Sequence, residues 1–101
     1  YSTQILLQGD TLKYFQNNNE TLSLIISKEV KNSLNKLLKK VHPETIGLIK
    51  APTNKFQYDG AMYTILEVIW NGKNYKSNGF DDDNPPKKLS PLINFLLTLV
   101  K

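Results

Sequence analysis

The sequence has no cysteine and no arginine among its 101 residues, and it has a single histidine. The lack of cysteine excludes disulfide bonds, thiolate zinc sites and cysteine nucleophiles within this sequence. The lack of arginine removes the guanidinium group on which base-specific DNA readout and many protein-interface hot spots depend. No apolar run approaches the roughly 20 residues that a membrane-spanning helix needs. These absences favour binding over catalysis.

The positive charge comes entirely from lysine. Thirteen lysines stand against nine acidic residues, which gives a formal net charge of +4. Lysine alone supplies a diffuse, salt-sensitive attraction to phosphate that does not specify a base sequence. Eleven asparagines accompany the lysines, and an AT-rich coding bias explains both. The alternative is a lysine-rich nucleic-acid or polyanion-binding module.

The first quarter of the chain predicts three strands. Residues 1–8, 11–15 and 22–26 are partly alternating and rich in β-branched and aromatic residues. Gly9 and Asp10 mark a turn, and the asparagines at 17–19 mark a second one. The three segments together indicate an antiparallel meander.

Two segments predict helices. Ser27 is a suitable N-cap, and a helical stripe follows it at Val30, Leu34, Leu37, Leu38 and Val41. Lys31 and Asn35 fall with the polar residues on the other side. The second helix begins at Ser90 and Pro91 and is apolar nearly all round. Such a helix is either sandwiched within the domain or packed against another chain, so the sequence also predicts dimerisation through it.

The second half predicts one central strand and a polar partner. Residues 61–70 are largely apolar on both faces, as in a strand with neighbours on both sides. Asn71–Gly72 is the type I′ hairpin signal, and residues 73–80 return as the partner strand. Residues 46–49 fit a short strand or an extended link. The sequence therefore predicts one α+β domain over residues 1–101. In it, helices near 28–41 and 90–100 pack on one face of a mostly antiparallel sheet of five to six strands.

The candidate catalytic groups lack partners. His42 is two residues from Glu44 across a proline, a poor geometry for a catalytic pair, and we expect it simply to end its helix. The acidic run at 81–83 lacks calcium-loop spacing and is interpreted as a solvated loop, with a weak cation site as the alternative. Glu67 is expected to pair with Lys76 across the hairpin. The sequence predicts no enzyme, no catalytic residue, no cofactor and no metal.

Aromatic residues are concentrated in the second hairpin. Alternate aromatics on a sheet can stack single-stranded bases, but they more often pack across strands. An over-apolar last helix and these aromatics instead suggest a surface for a protein partner. The candidate partner-surface residues are Tyr63, Tyr75, Phe80, Phe95 and Leu99.

The last forty residues carry a further pattern. It consists of Asp59-Gly60, Tyr63, Glu67, Tyr75, Pro85-Pro86 and a closing Leu-rich helix. Over residues 59–101 this order resembles small uncharacterised bacterial exported or lipoprotein-type domains. The resemblance implies an α+β domain outside the cytoplasm, in the periplasm or exported, with no established reaction.

The predicted function is a non-enzymatic, small exported binding or interaction domain. Its partner is a protein, which it binds or inhibits, or a second copy of the chain; nucleic acid is disfavoured as a partner and no membrane span is expected. The nucleic-acid or polyanion module is the alternative. A third interpretation is one piece of a larger enzyme whose catalytic residues lie elsewhere.

Overall fold

Six strands and two α-helices make up the computed structural model, which describes residues 2–58 and 60–100. The strands are β1 (Ser2–Gln8), β2 (Thr11–Gln16), β3 (Asn19–Ile25), β4 (Tyr63–Trp70), β5 (Lys73–Lys76) and β6 (Phe80–Asp81). The helices are α1 (Lys28–Val41) and α2 (Ser90–Val100), with two short 3-10 helices at Pro43–Leu48 and Lys55–Gln57.

The strands form one mixed, mostly antiparallel sheet in the order β3-β2-β1-β4-β5, with β6 also paired to β4. The predicted meander of the first three strands is confirmed, although Tyr1 lies outside the described residues. The segment after β3 carries the chain back across the sheet, so that β4 pairs with β1. This pair is parallel, with Ser2 opposite Tyr63 and Gln8 opposite Ile69. The other strand pairs are antiparallel.

Both α-helices pack on one face of the sheet, as predicted. Burial alternates along β1 and β4 with the two-residue period of a strand, so every second side chain points towards the helices. Strands and helices contribute to one apolar core made chiefly of Ile5, Leu7, Leu12, Leu34, Leu38, Leu66, Val68, Phe80, Leu92 and Leu96. We call the other side of the sheet the open face.

Residues close to one another in sequence determine where α1 begins and ends and where the second hairpin turns. The Ser27 hydroxyl oxygen accepts a hydrogen bond from the backbone N–H of Val30 at 3.2 Å, as an N-cap should. His42 ends α1 in a left-handed conformation, with φ of 60°. Asn71 and Gly72 have φ of 53° and 76°, the two positive values that a type I′ turn requires.

Two predicted segments are wrong in detail. Residues 46–49 form neither the short strand nor the extended link: most of this segment belongs to a 3-10 helix that starts at Pro43 and buries Ile46 completely. The strand expected at 73–80 is broken into β5 and β6 because Ser77 turns inwards. Its backbone N–H donates to the Leu66 carbonyl at 2.8 Å, and its hydroxyl oxygen accepts from the Leu66 N–H at 2.9 Å. The Ser77 hydroxyl thus takes the place of a backbone carbonyl as acceptor for the Leu66 N–H, and the regular backbone ladder between β4 and β5 ends there.

The apolar helix α2 is packed inside the domain. Leu92, Ile93 and Leu96 are buried, and the remaining large apolar side chains of the helix rest against the core. Dimerisation through this helix stays a prediction. Within residues 2–58 and 60–100, no helix has the length and apolarity to cross a membrane.

Candidate functional site

A pocket lies at the carboxyl ends of the parallel strands β1 and β4, beside α1. Its volume is about 310 Å³, within the range of small-molecule sites. We call it the carboxyl-end pocket. Its lining comprises Leu7, Gly9, Ile26, Lys31, Leu34, Asn35, Leu38, Val68, Ile69, Trp70 and Asn71.

The topology of the sheet creates this pocket. After β1 the chain turns at Gly9–Asp10 to β2, on one side of the parallel pair. After β4 it turns at Asn71–Gly72 to β5, on the opposite side. Two adjacent parallel strands whose connections diverge leave a crevice beyond their carboxyl ends, the usual place for ligands in open sheets.

The polar groups of the carboxyl-end pocket have no partners within the described part of the chain. Lys31 is half-buried, yet its ammonium group forms no ion pair or hydrogen bond there. The same holds for the side-chain polar groups of Asn35, Trp70 and Asn71. Lys31 and Asn35 are one helical turn apart, so they project from the same side of α1. The sequence pattern places both on the polar side of α1, and only the position of the β4 end brings them to a pocket.

A wider groove of about 640 Å³ lies on the open face, next to the segment that precedes β4. The ring of Phe56 stacks on Tyr63, with centroids 4.8 Å apart and planes inclined by 30°. The amides that line this groove are already used. Asn54 donates to the Gln57 side chain at 3.1 Å, and Asn78 donates to the carbonyls of Gly47 and Ile49 at 3.2 and 3.0 Å. These amides therefore hold the segment in place.

Asp81 also holds the segment that precedes β4 in place. Its carboxylate is fully buried and accepts three hydrogen bonds, from the Thr53 hydroxyl at 2.5 Å and from the backbone N–H groups of Lys55 and Phe56, each at 2.9 Å. Burial by itself raises the pKa of Asp81. The three hydrogen bonds and the nearby positive charge of Lys55 outweigh burial, so the net pKa lies below the ordinary value of 3.8. The interpretation of this residue as part of a solvated loop is wrong.

The other two carboxylates of the acidic run have separate partners. Asp82 accepts a hydrogen bond from the Thr64 hydroxyl at 2.5 Å, and Asp83 forms an ion pair with Lys55 at 3.3 Å. Among the described residues, no group of three histidine, cysteine or acidic side chains is arranged to hold a metal ion. The acidic run therefore makes structural contacts, with the segment around Lys55 through Asp81 and Asp83 and with β4 through Asp82.

The two edges of the sheet differ. Next to β5, the 3-10 helix at Pro43–Leu48 packs so closely that a Cβ on Gly47 would lie 3.3 Å from the Lys76 carbonyl oxygen. The Asn78 side chain bonds the carbonyl groups of this same segment. The Lys76 end of this edge is therefore covered, whereas most residues of β5 are exposed. At the other edge, β3 pairs only with β2 among the described strands.

The outward backbone groups of β3 follow from its register. The Ile26 N–H donates to the Asp10 carbonyl at 2.8 Å, which makes this position a hydrogen-bonded pair. Because such pairs alternate in an antiparallel ladder, Leu24 also bonds β2, whereas Ser23 and Ile25 direct their N–H and C=O groups away from it. A bulge at the Tyr14 position shortens the regular stretch of β3 to its last four residues. The sequence predicted this strand but not that its outer edge is free.

The predicted partner-surface residues do not share a surface. Tyr63 lies on the open face, whereas Tyr75 pairs with Val68 on the helix side. Phe80 is only 1% exposed, so it offers no surface to a partner. Phe95 and Leu99 are partly buried on α2 against the core. The aromatics of the second hairpin are thus divided between two faces and do not form one stacking platform.

Two predictions about polar side chains can be checked directly. His42 is exposed, and its Nδ1 atom lies 3.9 Å from Glu44 on the surface, as expected for a residue that ends its helix. Glu67 does not pair with Lys76 although the two are opposite in register. Its carboxylate instead accepts hydrogen bonds from Gln4 at 2.9 Å and Asn74 at 2.6 Å. The parallel neighbour β1, which the sequence did not reveal, supplies the first of these donors.

Comparison of the chain with protein-family models, with curated proteins and with solved structures gives no match. The resemblance over residues 59–101 therefore stays a prediction. Asp59, the first residue of that pattern, lies outside the described residues.

Proposed function

We propose that this chain is a non-enzymatic protein-binding domain whose β3 edge pairs with an extended segment of a partner protein. The observation that carries the proposal is the outward backbone of Ser23 and Ile25, which has no bonding partner among residues 2–58 and 60–100. A strand added at such an edge gains main-chain hydrogen bonds for affinity and side-chain contacts for specificity.

The composition of β3 supports this function. Proteins commonly protect free edges with lysine, proline or a covering loop, and β3 contains neither lysine nor proline. At its end, Ile25 is 78% exposed, so an apolar side chain stands beside free donors and acceptors. The bulge near Tyr14 limits the available stretch to a few residues, which suits a short peptide segment.

A binding role also agrees with the state of the titratable groups. The buried carboxylate of Asp81 is occupied by structural hydrogen bonds, and the single histidine is exposed at a helix end. Inhibition of the partner is one form that such binding takes. The exported location stays a prediction from the resemblance. The polyanion-binding alternative also stays a prediction, and it requires DNA or RNA affinity that falls steeply as salt is raised.

The test is selection of random peptides displayed on phage against the folded chain, followed by binding measurements with the enriched peptides. Ser23→Pro removes the outward N–H without a lost bond to β2, because proline is tolerated at solvent-facing positions of edge strands. Ser23→Ala keeps that N–H and is the matched control. We expect the peptides to bind the alanine variant like the wild type and to lose at least about tenfold in affinity for the proline variant.

Ile25→Lys is a second variant, in case the proline variant unfolds. In the complex, backbone amide exchange at Ser23 and Ile25 should slow markedly. Enrichment of no peptide, or unchanged binding to both Ser23→Pro and Ile25→Lys, contradicts the proposal. Sedimentation that shows a dimer abolished by these variants would mean that the edge pairs with a second copy and that the proposed partner class is wrong.

A further inference from the structure

We propose that the carboxyl-end pocket binds a small monocarboxylate with an apolar body. This inference goes beyond the proposed function, because it concerns a different ligand class and residues other than the outward groups of β3. It is argued from the shape of the pocket, its charge and the unpaired groups at its mouth.

The floor of the carboxyl-end pocket suits an apolar body. Leu7, Ile26, Leu34, Leu38 and Val68 line the pocket, and the half-buried side chains of Ile69 and Trp70 add accessible apolar surface. A volume of about 310 Å³ is at the small end of the range for ligand sites. The ligand should therefore be a short hydrocarbon chain or a single aromatic ring.

The mouth of the pocket suits a negative head group. Lys31 is the only charged residue in the lining. The neighbouring polar groups include two further donors, the Asn35 amide and the indole N–H of Trp70. Lys31 forms no ion pair among the described residues, so a carboxylate placed there gains a charge-assisted hydrogen bond to its ammonium group.

No acidic side chain competes for Lys31 within the pocket. Asp10 follows the lining residue Gly9 and Glu67 precedes the lining residue Val68, but neither acidic residue lines the pocket. Asp10 is exposed. Glu67 points to the open face, where Gln4 and Asn74 bond its two oxygens. Lys31 therefore carries the one formal charge in the lining of the pocket.

The groove on the open face provides an internal comparison. It is larger, but its amides are bonded to one another or to backbone carbonyls. In the carboxyl-end pocket the corresponding amides, Asn35 and Asn71, are free of such bonds among the described residues. Ligand pockets combine an apolar lining with a few polar groups that fix the orientation of the ligand.

The experiment uses octanoate as the probe, octan-1-ol as a neutral probe of the same chain length, and octylammonium as the cationic one. Trp70 is the only tryptophan, so its fluorescence and its indole N–H signal in NMR report directly on this pocket. We expect saturable changes at Trp70 with octanoate, weaker binding of octan-1-ol, and none of octylammonium.

Three variants separate the head group from the cavity. Lys31→Gln should weaken octanoate binding by about tenfold or more, the size of a lost charge-assisted hydrogen bond, while octan-1-ol binding stays within about twofold. Lys39→Gln removes an exposed lysine of the same helix outside the pocket, and it should leave both affinities unchanged. Lys31→Glu should reverse the preference, so that octylammonium binds and octanoate does not.

Each contrary outcome overturns the proposal. No saturable change at Trp70 means that the pocket is not a site for this ligand class. Equal binding of octanoate and octan-1-ol means that Lys31 does not select the anion. An equal loss in Lys31→Gln and Lys39→Gln means that octanoate responds to overall charge. None of these results affects the peptide-binding proposal, whose variants lie on β3.

Discussion

Leu6 and Leu7 provide a direct test of the layered arrangement. They are neighbours of the same residue type in the central strand β1, yet they point to opposite faces of the sheet. Leu7 is 4% exposed and packs under the helices, whereas Leu6 is half-buried on the open face. Truncating each to alanine removes the same atoms from two different environments.

The expected costs differ by a factor of about three. A Leu→Ala change in a packed core lowers the free energy of unfolding by about 2–5 kcal/mol, from lost transfer energy plus the remaining cavity. Leu7 borders the carboxyl-end pocket, where the new space opens towards solvent, so we expect about 3 kcal/mol for Leu7→Ala. Leu6→Ala loses only partial burial and leaves no closed cavity, so we expect about 1 kcal/mol.

Urea unfolding followed by circular dichroism measures the difference. About 2 kcal/mol separates the two urea midpoints by roughly 1 M or more and the two melting temperatures by about 10 °C. Equal losses would mean that the open face is itself covered in solution. A reversed order would mean that β1 is shifted by one residue, since such a shift exchanges the two faces.

Two further predictions concern single hydrogen-bonding groups. Asp81→Asn should destabilise the fold at neutral pH, because the amide nitrogen cannot accept the bonds that the carboxylate accepts. The wild-type contribution is present above the unfolded-state pKa of 3.8 and disappears as pH falls through the lowered folded-state pKa. The urea midpoints of the wild type and Asp81→Asn should therefore converge between about pH 7 and about pH 3. As a control, Asp83→Asn changes an exposed carboxylate and should lower the midpoint less at pH 7. Midpoints of the wild type and Asp81→Asn that stay equally far apart at every pH would contradict the reasoning. Ser27→Ala should lower the free energy of unfolding by about 1 kcal/mol through loss of the N-cap. Ser33→Ala, at an exposed position in the middle of α1, should cause no measurable change in the same assay. An equal effect of the two variants would contradict the role of Ser27 as the cap.

Elements defined by local signals were predictable from the sequence. The bounds of α1 follow from the Ser27 cap and from a stripe of apolar residues that ends just before Pro43. The hairpin at Asn71–Gly72 follows from the two residues that best tolerate positive φ. In both cases the determining contacts lie within a few residues of one another, so no knowledge of topology is needed.

Features that depend on distant contacts were not predictable in this way. The break after β5 depends on Ser77 bonding Leu66 on another strand, and the burial of Asp81 depends on donors between residues 53 and 56. Glu67 finds Gln4 because β1 and β4 are parallel neighbours. A sequence pattern gives the face on which each side chain lies, but not which distant strand supplies its partner.

One topological feature accounts for both candidate sites. Strand β4 is inserted next to β1 rather than added beside β3, and the polarity of the strands gives the reason. Three residues of β1 and three of β4 are buried and nearly all of their other side chains are half-buried, whereas β3 and β5 are mostly exposed. The most apolar strands therefore gain the most free energy from burial at the centre of the sheet, and the polar strands lose the least hydration at its edges. If β4 paired with β3 instead, the outward groups of Ser23 and Ile25 would be bonded, and the ends of β1 and β4 would be too far apart to frame a pocket beside Lys31. The free edge and the carboxyl-end pocket are thus two consequences of the same pairing of β1 with β4.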